Sequence, residues 1–378
     1  MKKSTLSLAV FAVISSGIFS AALARESTEI IGARYLGMGN CFVAVSNDRS
    51  VLFANPAGLD RVGGRMLTVM GVGSTINSKT IEVVDFFLDN QETFENLDDL
   101  PDAEQDAFFD LIVHEINYKR MTVAFSTVPF GWIQHGLGGE IFADVRASGF
   151  AFNGSSDTPL VDMIGRADGG AIVGGARGWT GLRSYLPNRL SVGGAAKFIH
   201  RNALSARETI TQLSDGDSPE MLGGTTVGLD LGLLYDVNEK TRVGVALYDA
   251  LASDIEWEGD SSSVSRIQPG EKQDVEPALR IGITRTFSPD LSVLASPVLL
   301  AFDLAEPFDG DITFFKKIHL GGEASFFKTW FTARVGLSQG YVSAGLSLFG
   351  FNYAFYTEEV GRHAGQIADH RHVISYNL

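Results

Sequence analysis

The chain has 378 residues, a formal charge of −15, 42 glycines and a single cysteine. So acidic a balance argues against nucleic acid as a partner, because that binding needs basic patches. One cysteine excludes an intramolecular disulfide, and beyond the N-terminal stretch no apolar run is long enough for a membrane helix.

The first segment reads as an export signal. Lys2 and Lys3 form a basic start, Leu6 to Ile14 is mostly apolar, and Ala22-Leu23-Ala24 is a small-x-small cleavage site. Residues 1–24 are therefore expected to be a signal peptide removed after Ala24, its core too short to span a bilayer as a helix. Loss of the two lysines takes the formal charge from −15 to near −17. No cysteine follows the cleavage site, so no lipid anchor is expected. Cys41 reads as a small apolar packing residue.

Next comes Gly32 to Gly64, "GARYLGMGNCFVAVSNDRSVLFANPAGLDRVGG". Asn55 precedes a proline, which favours an extended backbone. Its side chain can cap the following turn, Pro56 suits a first helical position, and Gly58 can close the turn with a positive φ. The result is a compact capped turn of little bulk: a lead-in to the first strand, or a plug folded inside something hollow.

A first strand-like run lies near 65–76. The segment 79–117 then breaks the rhythm. Thr80 to Tyr118 carries twelve Asp or Glu and no Lys or Arg, with Phe86, Phe87, Phe94, Phe108 and Phe109 among them and Pro101 dividing the region. It reads as two short amphipathic helices or as a solvated acidic loop. Further strands are expected near 118–128, 136–152, 170–184 and 190–209, with loops near 153–168, 210–224 and 251–277.

Val227 to Val237, "VGLDLGLLYDV", shows the period most clearly. Val227, Leu229, Leu231, Leu233, Tyr235 and Val237 alternate with Gly228, Asp230, Gly232 and Asp236, and only Leu234 breaks the pattern. One face is apolar and the other small or polar, as in a strand. A turn at Asn238–Thr241 leads into Val243, Val245 and Leu247, which makes a hairpin. The alternation recurs over 279–287, 291–304, 317–326, 331–338, 341–349, 350–357 and 371–378, about fourteen strands in all.

Alternating strands suit a soluble β fold or a membrane barrel with its polar face toward a lumen. The barrel is favoured by the export signal, by small residues on the polar face, by aromatics at strand ends such as Phe326, Phe327, Trp330 and Phe331, and by a chain that ends within a strand, "HVISYNL". The expected fold class is all-β: a transmembrane antiparallel barrel of about 14 strands, residues 65–378, in the outer membrane of a Gram-negative-type bacterium. Long loops on one side and short turns on the other fit that class.

The chemistry-bearing motifs are weak. Gly336-Leu337-Ser338-Gln339-Gly340 matches G-x-S-x-G, but a nucleophile elbow runs from strand to helix, and here strands stand on both sides. His370 and His372, with His363 or Asp369, hold enough ligands for zinc, yet they open the last strand, where amphipathic rings at a membrane edge are common. No catalytic residue, metal or cofactor is expected. Asp230, Arg280, Lys317, Glu323 and Arg334 fall on the polar face as candidate lumen-lining residues, either along a substrate path or paired with one another.

The stretch "GARYLGMGNCFVAVSNDRSVLFANPAGL" resembles the start of outer-membrane barrels related to the long-chain fatty-acid transporter (FadL-like) family, nearest its PorV-like and TraF-like branches. The C-terminal "GYVSAGLSLFGFNYAFYTEEVGRHAGQIADHRHVISYNL" is similar to that group's closing strands. The resemblance covers both ends, roughly a fifth of the chain. Cys41 departs from the small residue usual at its place. The resemblance implies a fourteen-stranded barrel with residues 25–64 as a lumenal plug, or hatch, that holds Asn55, Pro56, Ala57 and Gly58. It implies passive transport of small hydrophobic molecules, or, in the PorV-like branch, a docking or shuttle role for secreted proteins. Fold carries across such a group more readily than function. Outer-membrane lipid is the expected surrounding, with hydrophobic small molecules or secreted proteins as partners.

Overall fold

The computed structural model describes residues 32–96, 100–116, 119–153, 159–181, 188–209, 221–260, 266–327, 330–360 and 365–377. The expected signal peptide, His363 and Leu378 lie outside the described residues.

The chain leaves the N-terminal region through two short collinear strands, β1 (Arg65–Thr68) and β2 (Gly71–Asn77), both antiparallel to β3 (Arg120–Gln134). Neighbour-to-neighbour pairing continues through β4 (Leu137–Asn153), β5 (Pro159–Trp179), β6 (Leu190–Thr209), β7 (Leu222–Asn238) and β8 (Thr241–Ala252). A two-stranded hairpin, β9 (Ile255–Glu256) and β10 (Lys272–Gln273), stands apart. The main sheet resumes with β11 (Ala278–Phe287), β12 (Val298–Ala305), β13 (Ile318–Phe326), β14 (Phe331–Ser338), β15 (Tyr341–Leu348), β16 (Phe351–Glu359) and β17 (Ala368–Asn377). The last strand pairs with β2, Asn377 opposite Gly71 and Arg371 opposite Asn77, and so closes a ring of fourteen antiparallel strands. Closure removes the sheet edges whose unpaired amides lipid could not satisfy.

The two faces separate as the period requires. On β7, Val227 is 55% exposed and Leu231 also faces out, whereas Asp230 is 2% exposed. Leu234, the residue that breaks the sequence pattern, points inward and is fully buried. Its Cδ2 would lie 3.0 Å from a Cβ on Gly244, so it fills lumen rather than facing lipid.

Strand lengths divide the wall. β4 to β7 run 17–21 residues, while β12 to β16 run 8–9. At about 3.3 Å per residue and a tilt near 40°, the short strands cover roughly 20–25 Å, the height of a bilayer's apolar band. Exposed aromatic rings bracket that band: Phe308, Phe314 and Phe315 at one end, and Phe327, Trp330, Phe349 and Phe351 at the other. The long strands project beyond it on the side of the long connections. There Ile255, Trp257 and Ile267 of the β9–β10 excursion pack with Ala203 and Leu222 of the inner wall.

Four expectations are corrected. The run at 65–76 is broken at Val69–Met70, opposite an irregularity in β3 between Thr127 and Phe130. The loop expected at 153–168 is largely strand: β5 starts at Pro159 and ends at Trp179, not near 184. Its inward Arg166 and Asp168 hid the pattern, and cross-strand charge makes them tolerable, since Asp168 receives Arg201 at 2.8 Å. The strand expected from 291 begins at Val298, after Pro297, which lacks a ladder N–H. The acidic insertion holds three helices rather than two, α3 (Ser78–Asp89), α4 (Gln91–Glu95) and α5 (Asp102–Ile116). Asn77 starts α3 by accepting the Thr80 N–H at 2.9 Å, and its amide donates to Asp369 of β17 at 2.6 Å.

Val335 sits mid-strand on β14 and is 64% exposed on the outer face. Val335→Arg should cost about 2–4 kcal/mol of folding free energy in lipid vesicles, read by urea titration, as for any arginine on the lipid face at midplane. An unchanged midpoint would mean this face does not meet hydrocarbon.

Candidate functional site: the lumenal segment and its margins

Three short helical turns precede the ring: α1 (Ala33–Gly37), α2 (Val51–Ala54) and a 3-10 helix (Pro56–Arg61). α1 packs on β14 to β17, while the 3-10 helix packs on β4 to β7, so the segment follows the inner wall. Tyr35, Leu36, Met38, Phe42, Leu52 and Leu59 are completely or almost completely buried.

Such close approach of backbone to backbone needs walls without side chains. A Cβ on Gly37 would fall 2.8 Å from Gly345 Cα, and one on Gly345 would fall 3.0 Å from Gly37 Cα. A Cβ on Gly336 would stand 2.1 Å from the amide nitrogen of Gly39, and one on Gly321 2.2 Å from the Met38 carbonyl. On Gly193 it would stand 2.6 Å from Pro56, and on Gly232 2.1 Å from Asn55 Oδ1. These inward glycines alternate with outward apolar residues along β6, β7, β13 and β14, which is why so glycine-rich a chain forms so regular a sheet.

Asn55 is the central anchor. Its amide donates to the carbonyls of Val43 (2.9 Å), Leu233 (3.3 Å) and Val245 (3.3 Å), the last two on β7 and β8. Its Oδ1 accepts the Ala57 N–H at 3.1 Å, the expected cap, with Pro56 opening the 3-10 helix. Gly58 does not close the turn with a positive φ. It lies inside the 3-10 helix, and its missing Cβ leaves room for the Ser46 carbonyl, which would be 2.5 Å away.

Charges complete the attachment. Glu323 of β13 accepts Arg34 at 2.7 Å and Arg334 of β14 at 2.7 Å, and Arg34 also reaches Asp48 at 2.8 Å. Asp303 accepts the N–H groups of Phe42 (2.8 Å) and Val43 (3.1 Å) and the Arg280 guanidinium (3.2 Å), while Arg280 donates to the Asn40 carbonyl. Arg61 meets Asp236 at 2.5 Å, and the Tyr248 hydroxyl donates to the Ala54 carbonyl. Of the candidate lumen-lining residues, Glu323 and Arg334 pair with each other. Arg280 takes Asp303, Asp230 takes Lys197 at 2.9 Å, and Lys317, at the end of helix α6 (Phe314–Lys317), donates to the carbonyls of Pro307 and Asp309. Sequence reading missed Arg34, Asp303 and Asp60. Their signal is tertiary: Arg34 meets Glu323, Asp303 meets the amides of Phe42 and Val43, and Asp60 meets Arg189 and Ser191 only when the segment lies inside the ring.

The inner face of the long strands carries a charge ladder: Asp144 to Arg166 at 3.6 Å, Arg166 to Asp168 at 3.2 Å, and Asp168 to Arg201 at 2.8 Å. Cavities border the segment among the described residues. One of about 380 Å³ lies at the long-loop end, bordered by Arg280, Glu306, Lys317, Tyr248 and Tyr356. The other, about 60 Å³, lies between Phe53 of the segment and the wall where β1 gives way to β2.

The weaker motifs take plain places. Ser338 ends β14, and Gln339–Gly340 turns into β15, so no helix follows. Ser338 Oγ lies 3.0 Å from His319 Nδ1, which is also 3.0 Å from the Gly39 carbonyl. His370 and His372 bond Thr357 and Tyr353 and stack on aromatic rings. Among the described residues, no group of three His, Cys, Asp or Glu is arranged for a metal.

Burial, reinforced by Asp303, pushes the Cys41 thiol well above its ordinary range. In the folded protein Cys41 should resist maleimide and react only on unfolding. Asn55→Ala, which leaves buried carbonyls unpaired at about 1–3 kcal/mol, should raise the labelling rate. Equal, rapid labelling of both proteins would contradict a fixed segment.

Asp60 offers a pH test. Burial acts to raise its pKa, but the Ser191 hydroxyl and the Arg189 and Arg61 cations overcome this and hold it below the usual range. Its stabilising share is therefore present above the unfolded value, about 3.9, and lost as pH falls through the lower folded one. Asp60→Asn should melt lower than the parent at neutral pH, with the two converging in acid.

No family model and no curated protein matches the chain. Among solved structures, it is similar to the Ralstonia pickettii toluene transporter TbuX, with 13% identity, 92% of this chain and 97% of that one covered, and a TM-score of 0.45. It is also similar to the CymD monoaromatic hydrocarbon channel (14% identity, 92% and 96% covered, TM-score 0.45) and to a Pseudomonas aeruginosa FadL homologue (9%, 96% and 98%, TM-score 0.27).

Proposed function

We propose that this chain is an outer-membrane barrel that passes small hydrophobic molecules passively, with residues 25–64 acting as a fixed plug. The carrying observation is the small cavity at the plug's edge, where the wall is interrupted between β1 and β2. Leu67, Val69 and Met70 are exposed at this break, next to the Phe351–Tyr376 ring stack of the aromatic band. An apolar solute thus has a margin to follow, whereas the charge ladder makes the lumen's centre costly for it. In this reading the break faces the periplasm, because the longest connections, between β2 and β3 and between β8 and β11, leave from the other end.

The plug's anchors argue against its leaving the barrel during each passage. Asn55, Arg34 and Asp303 would each lose bonds to buried partners, at about 1–3 kcal/mol apiece. Passage along the margin needs no such loss.

In planar bilayers the intact protein should show little ion conductance, while a variant lacking residues 25–58 should conduct freely. Toluene uptake across a lipopolysaccharide-bearing outer leaflet should require the intact protein. Open conductance in both proteins, or uptake no faster than in protein-free membranes, would overturn the reading. A second reading, docking of secreted proteins as in the PorV-like and TraF-like branches, draws on Leu88 and Leu111, which are exposed on the acidic helices α3 and α5. Affinity capture from native membranes separates the two: a stoichiometric protein partner supports docking, and co-purified hydrophobic solute supports transport.

A further inference from the structure

Within the marginal cavity, a carboxyl group and a guanidinium face the same space without meeting. Glu140 of β4 is 5% exposed, and among the described residues no ion pair within 4.0 Å and no hydrogen bond reaches it. Arg49, from the plug, has its Nη1 buried without a hydrogen-bond partner. Both residues line the cavity of about 60 Å³. Gly131, opposite Glu140 on β3, preserves this placement, since a Cβ there would lie 2.8 Å from Glu140 Cγ. Buried polar groups without protein partners are rare and call for an occupant.

We propose that Glu140 and Arg49 form a binding subsite for small neutral alcohols at the edge of the lumen. A hydroxyl is at once donor and acceptor, so it can bond the Glu140 carboxyl group and accept from the Arg49 guanidinium. A cation would meet Arg49 unfavourably, and a bare hydrocarbon would leave both groups unpaired. Phe53, Val72 and Val128 supply the apolar side for the carbon chain. Volume sets a lower bound. The cavity, of about 60 Å³ and open on one side, exceeds the roughly 10–15 Å³ that one water needs. A short aliphatic alcohol enters it with its hydroxyl end. The proposal rests on the transport reading for its biological consequence and deepens it by naming a solute class at that margin.

Photolabelling of the full-length protein in detergent tests it. A short diazirine-bearing alcohol should label peptides holding Phe53, Thr68–Gly73 or Ser126–Val128, and unlabelled n-butanol should compete. The diazirine alkane of equal length should label the outer face instead. Glu140→Leu should lower site labelling about tenfold, equivalent to about 1.4 kcal/mol. Glu140→Gln keeps an acceptor and should lose less, and Arg49→Gln, remote from the ring's hydrogen bonds, provides a second variant should the leucine variant misfold. Equal labelling by alcohol and alkane, absence of competition, or labelling unchanged in all variants would overturn the subsite and leave the cavity to water only. Labelling without uptake retains the subsite and removes the transport reading; uptake without labelling does the reverse.

Discussion

The structure depends on one steric condition: the backbone of residues 33–62 must lie directly against the backbone of the wall. Gly336 and Gly321 meet it on one side of the lumen, Gly193 and Gly232 on the other, because a Cβ on any of them would fall inside van der Waals distance of the segment. That contact brings Asn55 within reach of carbonyls on β7 and β8, and Asp303 within reach of the amides of Phe42 and Val43. A wall of larger inward side chains would hold the segment away, and its backbone groups would lose partners that no bulk water could replace.

The same condition fixes the segment. A segment attached by Asn55, by the Arg34–Glu323–Arg334 cluster and by Asp303 is not a loose stopper. The smaller cavity lies at the margin of the segment, beside the break between β1 and β2. The irregularity in β3 faces the same place, so wall and segment are both imperfect there. Glu140 and Arg49 face this margin without bonding each other, whereas Asp144, Arg166, Asp168 and Arg201 are linked by ion pairs.

Much of the wall was legible from residue order alone. On β7 and β11 the apolar and small residues alternate so regularly that strand, face and hairpin follow together. Legibility failed where inward residues were large or charged. Arg166 and Asp168 made the start of β5 look like loop, and Leu234 looked like an error until the segment it packs near was in place. The capping role of Asn55 is local and could be read. Its three carbonyl partners are distant in sequence and could not.

The sequence by itself determined the period of two, the apolar face and the capped Asn55-Pro56 turn, because these depend on neighbours along the chain. Ring closure between β2 and β17, the seating of Arg34 on Glu323, and the placing of Glu140 and Arg49 about one cavity were decided only by tertiary structure. Each joins residues from separate elements, and no local pattern encodes a contact whose partner is supplied by the curvature of the whole sheet.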